Sequence, residues 1–358
     1  PDYAVTPAEM LEYELDARGM TQKELTNRMG VSPKHINELL SGKAPISAKM
    51  AIKLEYAIGM PAQYWLNLEA NYQAIVARLG EEAELEADLN WLSLIPFNEM
   101  SKLGWLADVK DKKQRLVTVL RFFGIANVKQ WDKMWDNVNV AYRQTKNHKV
   151  SPVAVSAWLR QGEIEADKID CQPFDQKAFR HALDSIRSLT TETPKVFLPA
   201  LTDYCAAAGV AVVFVPMLPK TGVSGATRWM NKDKAIIQLS LRYKSDDHLW
   251  FTFFHEACHI IKHSKKELFL EGRNGLDSQK EDEANKFSSK ELIPGKTLEV
   301  FARTNVLTKE NISRFAKESG ISKGIVVGQL QHRELLPMNH CNDLKQFFKW
   351  AHEETTQK

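Results

Sequence analysis

The spacing of apolar positions changes along the chain and predicts a mainly α-helical protein of three domains. Up to about residue 80, apolar residues recur at helical spacing in short segments that Gly and Pro interrupt. Helical spacing continues from there with tryptophans that we interpret as core residues: Trp91, Trp105, Trp131, Trp135 and Trp158. We therefore expect an N-terminal domain over 1–80, a helical middle domain over 81–194 and a C-terminal α+β domain over 195–358 that ends in a helical extension.

Short β-branched runs distinguish the C-terminal domain from the rest of the chain. Val210–Val215 is an apolar run that stops at Pro216, and Ser224–Trp229 and Ala235–Leu241 have the composition of two further strands. Turn-like residues separate the last two segments. We expect these strands to form a small antiparallel sheet.

Two helices are predicted after the strands. Ser245–Asp247 supplies capping oxygens for a helix from His248 to about His263. A second helix is predicted from about Gln279 to Leu292. The residue types described below place the candidate chemistry on this pair of helices.

Capping residues and a glycine predict a pair of short helices near the N-terminus. Thr21–Glu24 is a capping box, Gly30 suits a left-handed turn, and Ser32-Pro33 opens the second helix. The outer face of that helix presents polar groups suited to base edges and phosphates: Lys34, His35, Asn37 and Glu38. The pattern predicts a helix-turn-helix domain of the five-helix type, with an ordinary helical hairpin as the alternative.

A similar helix-glycine-helix pattern occurs near the C-terminus, over residues 315–330. Its second helix contains the apolar run Ile325–Val327. We therefore expect this pair to pack within the C-terminal domain, with no role in DNA binding.

The composition indicates the class of protein, but evidence for a particular chemistry must come from local motifs. The chain has 358 residues, of which 44% are hydrophobic and 26% charged, as in ordinary globular proteins of more than one domain. A net charge of +3 is too small to indicate nucleic-acid binding by itself. No apolar run is long enough to span a membrane, and the first residues do not resemble an export signal, so we expect a cytoplasmic protein. The four cysteines form no C-x-x-C pair, which leaves His and carboxylate as metal ligands.

Residues 255–259 read His-Glu-Ala-Cys-His and fit the H-E-x-x-H pattern within an apolar helix. Residues four apart lie on one face of a helix, so His255 and His259 can bind one Zn²⁺ ion. Glu256 points away from that line, where it can act as general base toward an attacking water. The pattern predicts a zinc site, and a helix with solvated or core histidines is the alternative.

A catalytic zinc ion needs a third protein ligand. We exclude His263, because it lies eight residues beyond His255, or about 12 Å along the helix axis. The next helix offers Glu281, which shares a face with Asn285, and Glu283, which lies on the charged side. We favour Glu281 as ligand, keep Glu283 as the alternative, and expect Asn285 to support one of the histidines.

With these motifs, the C-terminal domain resembles the ImmA/IrrE family of bacterial and phage metallopeptidases. The resemblance covers about residues 195–335 and rests on His255–His259, on Glu281–Phe287 and on the ending Leu292–Pro294. It implies a zincin-like peptidase fold with Zn²⁺ as cofactor. It further implies that His255, His259 and Glu281 bind zinc and that Glu256 is the general base. Cys258 and Ser288 stand where the family often has smaller residues.

The N-terminal domain is similar to the Xre/HigA class of helix-turn-helix domains. The similarity covers residues 7–75 and rests on Met20–Leu25 and Val31–Lys43. It implies binding to palindromic operator DNA as a homodimer. The candidate DNA contacts, some of them to phosphate alone, are Gln22, Ser32, Lys34, His35, Asn37 and Lys43.

Together these features favour a DNA-binding transcription regulator with a zinc-dependent endopeptidase domain. Its substrate would be a protein partner, such as a repressor or a toxin, or the chain itself. The alternative is a HigA-like antitoxin or autorepressor whose zinc domain is a non-catalytic sensor or a toxin-binding surface. A complete ligand set with an open zinc position favours the peptidase, and a buried site favours the alternative.

Overall fold

The computed structural model describes residues 5–135, 150–264, 268–270 and 278–350. The chain divides into two compact units, Pro1–Leu89 and Asn90–Lys358. The predicted fold class, mainly helical with a small sheet in the C-terminal part, is confirmed. No helix among the described residues is both long and apolar enough for a membrane span.

The N-terminal unit is a bundle of five helices around one apolar core. The helices are α1 (Pro7–Ala17), α2 (Gln22–Met29), α3 (Pro33–Leu40), α4 (Ala48–Ile58) and α5 (Ala62–Asp88). Thr21 and Ser32 cap α2 and α3, and Gly30 adopts the left-handed conformation between them. The core joins Leu25 and Ile36 to residues of the other helices, so the capping pattern and the apolar pattern agree.

Helix α5 extends past the domain boundary that the sequence suggested at residue 80. Gly80 lies inside the helix, and the division between the units falls after Leu89. A single glycine costs a helix about 1 kcal/mol relative to alanine, and the residues around Gly80 are good helix formers. The expected middle domain, 81–194, is therefore divided in the structure between the end of α5 and the second unit.

The second unit begins with helices that cover one face of the sheet. They are α6 (Phe97–Lys102), α7 (Lys112–Phe123), α8 (Val128–Met134) and α9 (Pro152–Asp167), after a 3-10 turn at Leu89–Leu94. The indole nitrogen of Trp158 donates to the carbonyl of Val215, just after the first strand. Trp131 and Trp158 share a core with the strand residues Val213 and Ile236. Trp131 and Trp158 therefore pack these helices against the sheet.

The sheet is mixed, with strand order β1-β3-β2-β4. The strands are β1 (Val210–Phe214), β2 (Gly225–Asn231), β3 (Lys234–Leu239) and β4 (Phe269–Leu270). The β2–β3 and β2–β4 pairs are antiparallel, but β1 runs parallel to β3. The expectation of an antiparallel sheet was therefore wrong for β1. Side chains of β1 are buried on both faces, as in a parallel strand covered by helices on both sides.

Helices on the other face of the sheet carry the candidate site. They are α10 (Gln176–Ser188), α11 (Pro194–Ala206), α12 (Asp246–Lys262), α13 (Ser278–Leu292), α14 (Gly295–Thr304), α15 (Lys309–Ser319) and α16 (Lys323–His332). Short 3-10 turns occupy Leu189–Thr191 and Asn342–Leu344. Helix α12 contacts α13, α16 and the strands β2 and β3. It is the central helix of this face, and its orientation is fixed from several directions.

Candidate metal centre and DNA-binding surface

Apolar side chains fix the rotation of α12 about its axis. Leu249, Trp250, Phe253 and Ala257 are buried in the core of the second unit. Because these residues follow helical spacing, they face the core together and direct the remaining positions toward β2 and α13. His255 and His259 are among these remaining positions.

Three side chains converge between α12 and α13, and their separations match a tetrahedral metal site. The Nε2 atoms of His255 and His259 are 3.1 Å apart. Glu281 places its carboxylate oxygens 3.3 Å from Nε2 of His255 and 3.5 Å from Nε2 of His259. Ligand atoms about 2.0–2.1 Å from a zinc ion in tetrahedral geometry lie about 3.4 Å from one another. The donor set therefore fits a zinc ion in both chemistry and spacing.

Helix α13 also positions a group behind one of the histidines. The side-chain oxygen of Asn285 lies 3.0 Å from Nδ1 of His255, one helical turn beyond Glu281. Ala284 is completely buried, and its small side chain allows the two helices to approach. Asn285 thus lies beside the ring nitrogen of His255 that faces away from the ligand cluster.

Glu256 lies against the start of β2. Its side chain is fully buried, and its backbone carbonyl accepts a hydrogen bond from the Thr227 hydroxyl at 3.1 Å. A Cβ atom on Gly225 would lie 2.8 Å from a carboxylate oxygen of Glu256 and 2.5 Å from the methyl group of Thr252. Glycine at this position therefore leaves the space that the carboxylate occupies.

His263 and Glu283 take part in contacts that the sequence did not indicate. His263 lies outside the ligand cluster, but its Nδ1 is 2.8 Å from Nδ1 of His259. Its Nε2 is 3.3 Å from Glu283, which also pairs with Lys262. Glu283 therefore faces His263, whereas Glu281 faces the two Nε2 atoms. The four-residue spacing from His259 to His263 was the available signal, because it repeats the spacing from His255 to His259.

Burial keeps the imidazole of His259 neutral. Desolvation, followed by the nearby rings of His255 and His263 and by Lys280, lowers the pKa of His259 to about 2. Phe269 of β4 stacks on the same ring, with centroids 4.0 Å apart. A neutral imidazole is the form that binds a metal ion. Burial also raises the pKa of the Cys258 thiol to about 12, so this cysteine is an inert core residue.

The polar residues singled out as DNA contacts surround the α2–α3 pair of the N-terminal unit. Gln22, Asn37 and Lys43 are exposed, and the ammonium group of Lys34 extends into solvent. Ser32 uses its hydroxyl oxygen to cap α3, accepting from the backbone N–H of His35 at 3.3 Å. Glu38 lies 3.8 Å from Lys34 and 3.7 Å from His35. The outer face of α3 therefore presents both donors and a carboxylate.

Two family models match the chain. Residues 205–331 match a peptidase-family model described as an IrrE N-terminal-like domain. Residues 11–65 match a helix-turn-helix model. The first match contains the three converging ligands and Glu256, and the second lies within the five-helix unit.

Among curated proteins, the chain is similar to an HTH-type transcriptional regulator, a virulence-associated protein and an antitoxin. It is 36% identical over 63 residues to the HTH-type transcriptional regulator YddM of Escherichia coli, over 18% of this chain and 67% of the relative. It is 32% identical over 81 residues to virulence-associated protein I of Dichelobacter nodosus, over 22% of this chain and 75% of the relative. The antitoxin HigA-1 of Vibrio cholerae is 38% identical over 66 residues, 18% of this chain, and the chain spans 62% of its length.

Proposed function

Because the chain belongs to the helix-turn-helix family of DNA-binding regulators and carries an IrrE N-terminal-like peptidase domain, we propose that it couples operator binding to zinc-dependent cleavage of a protein partner. The observation that carries this proposal is the convergence of two imidazoles and one carboxylate at the spacing of zinc ligands. We assign His255, His259 and Glu281 as the ligands. The partner is a repressor, a toxin or the chain itself.

The chemistry at this centre follows from the groups around it. A zinc ion bound there supplies Lewis acidity, which favours deprotonation of water and polarises a peptide carbonyl. Glu256 is the general base: its carboxylate accepts the proton of the attacking water and delivers it to the leaving amine. Gly225 keeps the space for that carboxylate open. Asn285 accepts a hydrogen bond from Nδ1 of His255, so Nε2 carries the lone pair that would bind the ion.

For DNA binding, we propose that α3 enters the major groove, as the second helix of such a pair does. Lys34, His35 and Asn37 lie on its outer part, and Gln22, Ser32 and Lys43 lie at the edges of the pair. Asn37 is suited to bidentate contact with adenine. Lys34 is suited to phosphate. Ser32 contributes mainly as the helix cap, because its oxygen already accepts from His35.

We further propose that the regulator binds its operator as a homodimer through α5. An apolar row at coiled-coil spacing, Leu68, Tyr72, Ile75 and Leu79, runs along this helix. Leu68 packs against the core of the unit, but Ile75 and Leu79 are exposed. An apolar row is complementary to its own copy across a two-fold axis. A second chain is therefore the partner that this surface fits, and two-fold symmetry suits a palindromic operator.

One observation favours a second candidate function. His255, Glu256 and His259 are almost completely buried, and Glu281 retains only 17% of its side-chain exposure. A buried centre suits a metal-stabilised sensor or toxin-binding domain of a HigA-like antitoxin or autorepressor. The similarity to an antitoxin over 66 residues agrees with this alternative.

The substitution Glu256→Gln separates the two functions. We expect the variant to keep wild-type zinc content and operator affinity but to lose cleavage. The measurement compares new protein N-termini in bacterial cells that express the wild type, Glu256→Gln or Glu281→Gln. N-termini that appear only with the wild type support the peptidase. Identical profiles for all three, with transcriptional repression intact, support the antitoxin or autorepressor.

A further inference from the structure

The two histidines of the ligand cluster have different partners on the side of the ring away from the cluster. Nδ1 of His255 meets the amide oxygen of Asn285 at 3.0 Å. Nδ1 of His259 meets Nδ1 of His263 at 2.8 Å. The first partner is an amide on a neighbouring helix, and the second is an imidazole one turn further along the same helix.

Hydrogen-bond chemistry fixes the direction of each contact. The Nε2 atoms of both histidines face Glu281 and each other, so Nε2 carries the lone pair that binds the ion. A neutral imidazole then carries its hydrogen on Nδ1. His259 therefore donates from Nδ1 to Nδ1 of His263, which must accept. As a neutral ring, His263 in turn carries its hydrogen on Nε2.

The Nε2 atom of His263 points to a carboxylate, which completes a hydrogen-bonded path that starts at His259. Oε2 of Glu283 lies 3.3 Å from this nitrogen, where it can accept the hydrogen. Lys262 pairs with the other oxygen of Glu283, which fixes the carboxylate over His263. The side chain of His263 is 4% exposed, whereas that of Glu283 is 45% exposed. The hydrogen-bonded path from His259 through His263 to Glu283 thus runs from the buried cluster to the surface.

We propose that His263 and Glu283 are positioning residues that orient His259 and increase its basicity as a metal ligand. This inference rests on the proposed zinc centre. A carboxylate that accepts from a ligating imidazole commonly holds the ring and its tautomer in place; here a second imidazole stands between the two groups. His263 does not bind the ion itself, because its Nδ1 approaches His259 from the side opposite to the ligand nitrogen.

The test is the zinc affinity of the full-length protein, measured by competition with a chromophoric chelator. His263→Leu preserves bulk but cannot accept from His259, and we expect its affinity to fall about 10- to 100-fold. His263→Asn places a side-chain oxygen near the position of Nδ1 and should recover most of the loss. Glu283→Gln should weaken binding less than His263→Leu. In the double variant, Glu283→Gln should cause no further loss of zinc affinity, because both substitutions interrupt the same hydrogen-bonded path from His259 to Glu283.

A matched control and a folding measurement make the test specific. Glu291→Gln makes the same charge change on the same helix, at a carboxylate that pairs with Arg180 and not with His263, and should bind zinc as the wild type does. Circular dichroism without metal should show the same fold in all variants. Wild-type zinc affinity in His263→Leu would overturn only the proposed role of His263 and Glu283. An equal loss of zinc affinity in Glu291→Gln and Glu283→Gln would do the same. A wild-type chain that binds no zinc overturns the metal centre as well.

Discussion

The ammonium group of Lys345 lies 2.7 Å from a carboxylate oxygen of Asp247. Both side chains are about nine-tenths buried, at 10% and 8% exposure. Around them, the backbone of Gln346 exchanges hydrogen bonds with Asp246, donating to its side chain and accepting from its N–H. The segment after α16 is therefore anchored to the first turn of the helix that carries the candidate metal ligands.

Removal of Lys345 should destabilise the second unit strongly. Lys345→Met leaves Asp247 buried without its counter-charge, and such changes cost about 3–5 kcal/mol. Lys309→Met is the control, because Lys309 pairs with Asp343 at the surface, where solvent screens the attraction and an ion pair contributes little to stability. Urea unfolding followed by circular dichroism measures both. Equal effects of the two substitutions would show that the buried pair contributes no more to stability than the surface pair.

Asp246 should make the stability of this unit depend on pH. Burial raises its pKa to about 6, although the hydrogen bond from Ser322 opposes the shift. A raised carboxyl pKa means that the folded state holds the proton more tightly than the unfolded state. The contribution of Asp246 to stability is therefore greatest below its unfolded pKa and is lost as pH rises through about 6.

The comparison of wild type with Asp246→Asn isolates this group from other carboxylates. The difference in unfolding free energy between the two proteins should shift in favour of the variant as pH rises from 4.5 to 7.5. The expected shift is about 2 kcal/mol, because this pH range covers most of the separation between the unfolded and folded pKa values. A difference that stays constant over this range would contradict the prediction.

Gly225→Ala should impair catalysis while the ligand set stays intact. The added methyl group would overlap Glu256 and Thr252, and overpacking of this kind costs about 1–3 kcal/mol. We expect normal zinc content with strongly reduced production of cleaved N-termini. Gly80→Ala is the control: nothing lies near its Cβ position, and alanine should stabilise the middle of α5 by about 1 kcal/mol. Full cleavage by Gly225→Ala would remove the proposed role of this glycine.

Two substitutions on α3 should affect DNA binding in different ways. Asn37→Ala should cost about 1–3 kcal/mol on the preferred operator and relax selection at one base pair. Lys34→Ala should weaken binding to all duplexes and reduce the salt dependence by about one phosphate contact. Selection from random duplexes, followed by titration at several salt concentrations, distinguishes these effects. Equal loss on all duplexes for both variants would place Asn37 outside the base-reading surface.

Leu79→Glu should convert a dimer to a monomer in solution. The side chain of Leu79 is 63% exposed at the end of the apolar row on α5, so the substitution leaves the core of the unit unchanged. Ala77→Glu introduces the same charge on a different face of the helix and should remain dimeric. Sedimentation equilibrium of the full chain gives both masses. A monomeric wild type would contradict the proposed homodimer, and the apolar row on α5 would then fit a different protein partner.

The chain contains the same local turn twice, in different surroundings. Gly30 and Gly320 both adopt the left-handed conformation, and Ser32 and Ser322 each cap the helix that follows. The sequence already separated the two uses, because the helix after Ser322 is largely apolar. The structure agrees: the helix after Ser32 has an exposed polar face, whereas Ile325–Val327 is buried in the second unit.

By itself, the sequence determined the features that depend on neighbours within one helical turn: the caps, the apolar faces, and the pairing of His255 with His259. Backbone periodicity fixes such relationships before any tertiary contact forms. Contacts between separate elements were decided only by the packing of complete cores. That packing set β1 parallel to β3, brought Glu281 to the two Nε2 atoms, and placed Glu283 over His263. Their distances depend on how whole faces of helices and strands fit together, which no spacing along the chain specifies.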